Sequence, residues 1–239
     1  MPSYAVRPRR VDWSLSALLI VQAVTLFVAI PLGTRYPSAH ILMDACRLVF
    51  AVVSIAALTR HRGLQIALLL ALVILMVAPV VGLHALGYVG FTPSSAFQHD
   101  LIEIIALAFN AAVTALVVRH VFGPGRVNMH RVQGAVLIYL NIAALFAILF
   151  NAVLTHWPGA IILTTGSPLP SGRGEQTAAL TYFSLATITT TGYGDVVPVD
   201  PLARSLANLE SVIGQLFPAT LLARIVALNL EHGRRKGEE

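Results

Sequence analysis

Thr189-Thr190-Thr191-Gly192-Tyr193-Gly194-Asp195 is a short, polar, glycine-rich stretch with a single carboxylate, set between two long apolar segments. A loop this polar survives at membrane depth only where it is buried in protein or lines a watery path. The alternating glycines free the backbone, so that successive carbonyls can point the same way, and the threonines add hydroxyls. A row of inward-facing oxygens is what a dehydrated cation needs in place of its water shell.

The rest of the chain sets that loop in a membrane. Of 239 residues, 56% are hydrophobic and 11% charged, whereas soluble domains carry roughly 25% charged residues. The composition reads as a polytopic membrane protein. The net charge of +5 comes from fifteen Arg and one Lys placed mostly between apolar segments. It reads as an orientation signal, not as a nucleic-acid surface, and no nucleic-acid partner is expected. The single Cys46 excludes an intrachain disulfide and a cysteine-built zinc site.

Six apolar runs follow in order: Trp13 to Leu32, Ile41 to Thr59, Leu64 to about Leu86, Asp100 to about Val121, Val132 to about Thr155, and Pro201 to about Leu230. The basic Met1–Arg10 ahead of the first run also fits a signal peptide, but a run of ~20 residues fits a span better. Pro79 and Gly82 allow a kink near the outer end of the third. With the N-terminus cytoplasmic, the inner side holds Arg7, Arg9, Arg10, Arg60, Arg62, Arg119, Arg126, Arg131, Arg234, Arg235 and Lys236, and the outer side only Arg35, Arg173 and Arg204. Eleven against three places both termini in the cytoplasm, which an even number of spans requires. The expected location is the cell (inner) membrane, with membrane lipid as a partner.

Between the fifth and sixth runs, 156–176 is rich in Gly, Pro, Ser and Thr and reads as an extracellular turret. Residues 177–189 suit a helix of ~20 Å, too short to span, with Thr177 as a candidate N-cap. This helix runs into the quoted stretch, and Val196-Val197-Pro198 leads out again. The expected organisation is a cytoplasmic N-terminus (1–12), a four-helix sensor-like domain (13–122), a cytoplasmic linker (123–131) and a pore domain (132–230). Within the pore domain lie an outer helix (132–155), the turret, a pore helix (177–189), a filter (190–195) and an inner helix (201–230). A cytoplasmic tail (231–239) closes the chain. The fold class is therefore an all-α membrane protein, with six transmembrane helices and a re-entrant pore helix and filter between the fifth and sixth. No second filter and no internal repeat occur, so one filter strand needs three identical partners around an axis, a homotetramer.

TTTGYGD in this setting resembles the selectivity filter of the tetrameric potassium channel superfamily, over about Arg131 to Leu230. The resemblance implies a potassium-selective channel, not an enzyme, with K⁺ as the bound, permeant ion. It implies that Thr190 supplies a hydroxyl and a carbonyl at the innermost ion site. Thr191, Gly192 and Tyr193 would supply carbonyls above it, and Gly194 completes the mouth. Where family members usually carry Val or Ile, this chain has Thr191, which is also β-branched and keeps the backbone geometry. The Tyr193 ring is expected to pack outward against pore-helix aromatics. Asp195 would bond to the pore helix behind the filter. The Glu that partners it in some relatives is Ala186 here, so Tyr182 is the substitute partner, and filter closure of the Glu-dependent kind is in doubt. The C-terminal end of the pore helix would present partial negative charge to a central cavity.

Asp200-Pro201 is an N-cap and N1 proline that suit a helix start. Gly214 stands nineteen residues after Asp195, where the family carries its hinge glycine. Its alternative role is to allow close helix packing. Pro218, one turn on, removes a backbone bond and would kink the helix. Leu222, Val226 and Leu230 recur every four residues and form a candidate hydrophobic gate that closes by dewetting, against the alternative of lipid-facing or neighbour-facing packing. Glu210 is an ionisable group within a span and a functional suspect by default. It would bond to Ser184 or Thr187 and support the filter from behind, or make a structural bond between subunits.

The fourth run carries only Arg119, at its inner end, whereas a sensor helix carries a basic residue every third position. Moving one charge across 100 mV is worth ~2.3 kcal/mol, so little gating charge is expected. Asp100 and Glu103 read as helix-start compensation, and Asp44 with Arg47 as a local ion pair, against the alternative of a contact to the fourth helix. His84 and His99 read as solvated loop residues in preference to metal or proton sensors. About nine residues follow the last span, which leaves no room there for a cytoplasmic ligand domain, and the gating stimulus stays open. Two rivals remain: a weakly selective cation channel, and a non-conducting regulatory or scaffold subunit that keeps the pore fold. A secondary transporter lacks its inverted repeats here.

Overall fold

The computed structural model describes residues 8–36, 39–58, 63, 65–70, 72–73, 95–122, 129–170 and 172–237. The outer part of the third predicted span, with Pro79, Gly82 and His84, and the linker 123–128 lie outside these residues, as do the side chains of Asp44, His99 and Asp100.

The first apolar run forms α1 (Pro8–Val24), a π-helical turn over Thr25–Ala29, and α2 (Ile30–Arg35). The π turn is one place where an extra residue is absorbed without ending the helix. Next come α3 (Ala39–Leu58), α4 (Ser95–Val121) and α5 (Met129–His156). Strand β1 (Ile161–Leu163), helix α6 (Arg173–Ile188), strand β2 (Val196–Pro198) and helix α7 (Pro201–Gly237) complete the order. Among the described residues, four helical stretches are long and apolar enough to cross a membrane: Ser14–Arg35, Glu103–Val121, Met129–His156 and Pro201–Arg224.

Helix α5 is the axle of the fold. It packs against α1, α4, α6 and α7. On one side, Leu15 and Leu18 of α1, Phe50 and Ile55 of α3, and Val113 and Val117 of α4 close on Leu137 and Ile138. On the other, Phe146, Phe150 and Val153 close on Leu180 and Phe183 of α6 and on Ala203 and Ala207 of α7. Phe150 and Phe183 meet edge to face, with ring centroids 4.9 Å apart, the geometry that their quadrupoles favour. Gly134 of α5 stands where a Cβ would meet Val121 of α4, a close approach of the kind that small residues allow between helices in an apolar solvent.

Two expectations change. The short helix starts at Arg173, with Gly172 as N-cap in an extended conformation, and Thr177 lies inside it. The Gln176 amide already bonds the Gly172 carbonyl at 2.8 Å, and Glu175 in the first turn complements the dipole. The helix therefore begins where an extended residue and a first-turn acid coincide, ahead of the first threonine. The fold is also mostly helical and not all-α, because the turret carries a strand. Ile161, Ile162 and Leu163 pair antiparallel with Pro198, Val197 and Val196. This two-stranded clip ties the turret to the chain leaving the filter.

Candidate functional site

The end of α6 delivers the filter stretch. The last four carbonyls of a helix have no intrahelical donor, and here each finds one. Leu185 O accepts the Thr189 amide at 3.2 Å, Ala186 O accepts those of Thr191 and Gly192 at 2.9 and 3.1 Å, and Thr187 O accepts that of Thr190 at 2.9 Å. Ile188 O accepts the Tyr139 hydroxyl of α5 at 2.7 Å. The helix end is thus stitched to its own filter, and what it offers to space beyond is its dipole field and no free carbonyl.

Positive φ recurs at every second residue of the filter: 55° at Thr190, 55° at Gly192 and 78° at Gly194. Thr190 is the one non-glycine residue among those described with a positive φ. Alternating right- and left-handed residues turn successive N–H groups to one side, and carbonyls lie opposite N–H groups along such a chain. The N–H groups of Thr190, Thr191 and Gly192 point back to α6. Among the described residues, no protein donor meets the carbonyls of Thr190, Thr191, Gly192 or Tyr193. Gly194 differs, because its carbonyl accepts the Thr164 hydroxyl, while the Thr164 amide bonds Asp195 O at 2.9 Å. In one chain the filter is open to one side, with Tyr193 69% exposed.

The side chains lock the strand from behind. Thr191 Oγ1 lies 2.9 Å from Thr189 Oγ1, which donates to Leu185 O at 2.6 Å. The hydroxyl that replaces the usual aliphatic group therefore has a partner. The Tyr193 ring stacks on Tyr182, with centroids 5.7 Å apart and planes 12° apart. The Tyr182 hydroxyl donates to Asp195 Oδ2 at 2.9 Å. Partial desolvation, then the bond to the Asp195 carboxylate, raise the Tyr182 phenol above its ordinary 10.0 and extend its donor form further into the alkaline range. The Thr187 hydroxyl turns back to Phe183 O at 2.8 Å and does not reach the filter.

Helix α7 begins as its residues dictate: Asp200 Oδ1 accepts the Leu202 amide at 2.8 Å, ahead of Pro201. It then crosses the end of α6 at Gly214, where a Cβ would sit 1.8 Å from Ile188 O. The glycine is thus required by a backbone approach. Pro218 lies inside a helix that runs on to Gly237. Its missing N–H leaves the Gly214 carbonyl without a ladder donor. Glu210 is fully buried, and its Oε1 lies 2.5 Å from Ser184 Oγ. Leu222 is 63% exposed; the side chains of Val226 and Leu230 fall outside the described set.

Four contacts escape the sequence reading. Gln215 Nε2 donates to Thr190 Oγ1 at 2.9 Å. A polar side chain in an apolar span beside Gly214 was its available signal. Tyr139 and Thr164, described above, hold the two ends of the filter segment, and nothing in their local sequence marks them. Arg224 donates from Nη2 to Phe122 O at 2.9 Å and lies 4.7 Å over the Phe122 ring, tying α7 to the end of α4.

Comparison with known proteins fits this geometry. Residues 136–231 match the ion channel family. The chain is 31% identical over 90 residues, 38% of its length, to the inward rectifier potassium channel Kirbac3.1 of Paramagnetospirillum magnetotacticum, of which the match spans 26%. It is 26% identical over 133 residues to protein LctB of Bacillus caldotenax, 54% of this chain and 95% of that one. These matches support the resemblance to the potassium channel superfamily. The protein is mostly helical, four of its described helical stretches are long and apolar enough to cross a membrane, and its match is to an ion channel domain and to no enzyme family.

Proposed function

We propose that the protein is a potassium-selective channel, assembled from four copies around one filter. The observation that carries this is the alternation of positive φ at Thr190, Gly192 and Gly194. It accompanies a strand whose amides are tied to α6 and whose four carbonyls from Thr190 to Tyr193 have no protein donor among the described residues. Rings of four such carbonyls, one from each subunit, replace the water shell of K⁺, with the Thr190 hydroxyl adding the innermost ring. One strand lines only one side, which is why the filter stands exposed on a single chain and why closed rotational symmetry completes it.

In this reading α6 is re-entrant, six helices span the cell (inner) membrane, lipid surrounds the subunits, and both termini are cytoplasmic. Asp195, held by Tyr182, attracts cations to the outer mouth. Gly214 and Pro218 give the inner helix its local freedom, and Leu222, Val226 and Leu230 form the constriction below. Purified protein in liposomes will carry a Ba²⁺-sensitive K⁺ flux, and bi-ionic reversal potentials will favour K⁺ over Na⁺. Equal permeability would support a weakly selective cation channel instead. Absence of flux at every voltage and pH would support a non-conducting subunit. Cross-linking in bilayers will give a tetramer; a dimer or monomer that conducts would overturn the fourfold filter.

A further inference from the structure

Behind the filter, three helices of the pore meet at one serine. The Ser184 Oγ of α6 lies 2.6 Å from the Ala143 carbonyl of α5 and 2.5 Å from Glu210 Oε1 of α7. A hydroxyl carries one hydrogen and two lone pairs. The Ala143 carbonyl can only accept. If Ser184 gives its hydrogen to Ala143, the contact with Glu210 is a bond only when Glu210 is the donor. If Ser184 gives it to Glu210 instead, two bare oxygens face each other at 2.6 Å. Only a protonated Glu210 satisfies both distances.

The surroundings agree. Glu210 is fully buried, and its Oε2 has no hydrogen-bond partner among the described residues. A carboxylate would leave a charged oxygen there unsolvated, which burial disfavours far more than an unpaired neutral carbonyl oxygen. No Lys, Arg or His forms an ion pair with Glu210 among the described residues. From α5 the titratable neighbour is Tyr139, whose hydroxyl is engaged with Ile188 O. From α6 the neighbours are Ser184 and Thr187, and the latter's hydroxyl turns to Phe183 O. On α7, Ser211 Oγ contacts Thr187 O at 3.4 Å, and Arg204 Nε bonds Pro198 O at 3.1 Å.

We infer that Glu210 is held as a neutral carboxylic acid whose Oε1–H donates to Ser184 Oγ, while Ser184 donates to Ala143 O. One directed chain of two hydrogen bonds then joins the inner, pore and outer helices. Glu210 is a positioning residue that acts on the filter through Ser184, at the fifth position before Thr189. This deepens the channel reading, since it says how the pore helix is held, but its test does not depend on ion flux.

Infrared spectroscopy of the bilayer-reconstituted protein at pH 7 reads the proton directly. The wild type should show a carboxylic-acid C=O band equivalent to one group per chain. Glu210→Gln should remove it, and Ser184→Ala should shift it by removing the hydrogen-bond acceptor. Absence of such a band at pH 7 overturns the inference, and so does a band untouched by both substitutions. If Glu210→Gln does not assemble, the wild-type and Ser184→Ala spectra still decide. A Gln amide can also donate to Ser184, so Glu210→Gln should keep the heat-stable assembly that Glu210→Ala loses. Equal loss in both variants would assign the role to the negative charge and overturn the neutral acid.

Discussion

Thr191 carries a hydroxyl that is used locally. It meets Thr189 Oγ1 at 2.9 Å, on the side of the strand that faces α6. Thr191→Val keeps the branched side chain and removes that bond, worth about 1 kcal/mol net. The expected outcome is a tetramer melting a few degrees lower, with K⁺ still preferred in bi-ionic recordings; loss of K⁺ preference would give the hydroxyl a direct role at an ion site. Tyr182 makes a sharper case. Its phenol is raised above 10.0 in the folded protein, by desolvation first and then by its bond to Asp195. A group raised on folding contributes stability that is complete below its unfolded value and is lost as pH rises through the folded one. The clamp on Asp195 should therefore hold across an external pH of about 6 to 9 and fail above about 10. Flux in Tyr182→Phe should lack this last alkaline component, which titration of both proteins from the outer side would separate. The alternation of backbone handedness was legible in TTTGYGD because glycines at fixed spacing encode it. The bond from Tyr182 was legible once Ala186 was seen to lack a carboxylate. Gln215 and Thr164 were not, because their partners lie 25 and 30 residues away, and nothing in periodicity says where those side chains meet.

At the scale of elements, the crossing of α6 by α7 fixes the filter from below. A methyl group at Gly214 would lie 1.8 Å from Ile188 O and 2.7 Å from Ile188 C, both backbone atoms that no rotamer change can move aside. Gly214→Ala must therefore push the helices apart, at a cost of about 1–3 kcal/mol or more by analogy with overpacked cores. Because Ile188 stands two residues before Thr190, that displacement reaches the start of the TTTGYGD strand. Detergent-solubilised Gly214→Ala should lose heat-stable tetramer, and any assembled fraction should pass K⁺ at least tenfold more slowly. A variant with wild-type stability and altered opening alone would favour the hinge role over the packing role. The sequence could place a special glycine here but could not distinguish those roles, since the close approach is made by another helix. Likewise the start of α6 was set too late, at Thr177, because side-chain capping was weighed above the extended Gly172 and the acid at Glu175. The clip of β1 with β2 was invisible for a different reason. Three apolar residues amid Gly, Pro and Ser carry no period, and their partner strand lies beyond the filter.

Over the whole molecule, the question is what could move the pore. The apolar stretch Glu103–Val121 of α4 contains Glu103 and Arg119 as its only acidic or basic residues besides His120. Each charge that crosses the full field contributes ~2.3 kcal/mol per 100 mV, so a helix with one cation at its inner end supplies little. Conductance of the reconstituted protein should vary by no more than about threefold between about −100 and +100 mV, on that per-charge scale; a steep sigmoid would require charge movement elsewhere in the chain. Helix α4 is nonetheless mechanically joined to the pore at both ends. Toward its N-terminal end, Glu103 Oε1 accepts from Asn151 at 2.5 Å, and Asn151 in turn accepts from Gln176 at the start of α6. At its C-terminal end, Arg224 of α7 caps α4 through Phe122 O and stacks on the Phe122 ring. A cation at a helix C-terminus contributes about 0.3–1 kcal/mol, and a guanidinium on a ring about 0.5–2 kcal/mol. Arg224 is half-buried and stands two residues after Leu222 on the same helix, so whatever swings Leu222 must also carry Arg224. Arg224→Ala should therefore release the inner helix from α4 and change single-channel open probability severalfold, while the K⁺ over Na⁺ reversal potential stays where it is. Arg224→Lys keeps the charge and can still bond the carbonyl, but it loses the flat stacking face, and should fall between the two. Unchanged open probability in Arg224→Ala would mean that α4 is a passive wall against which the pore opens unaided.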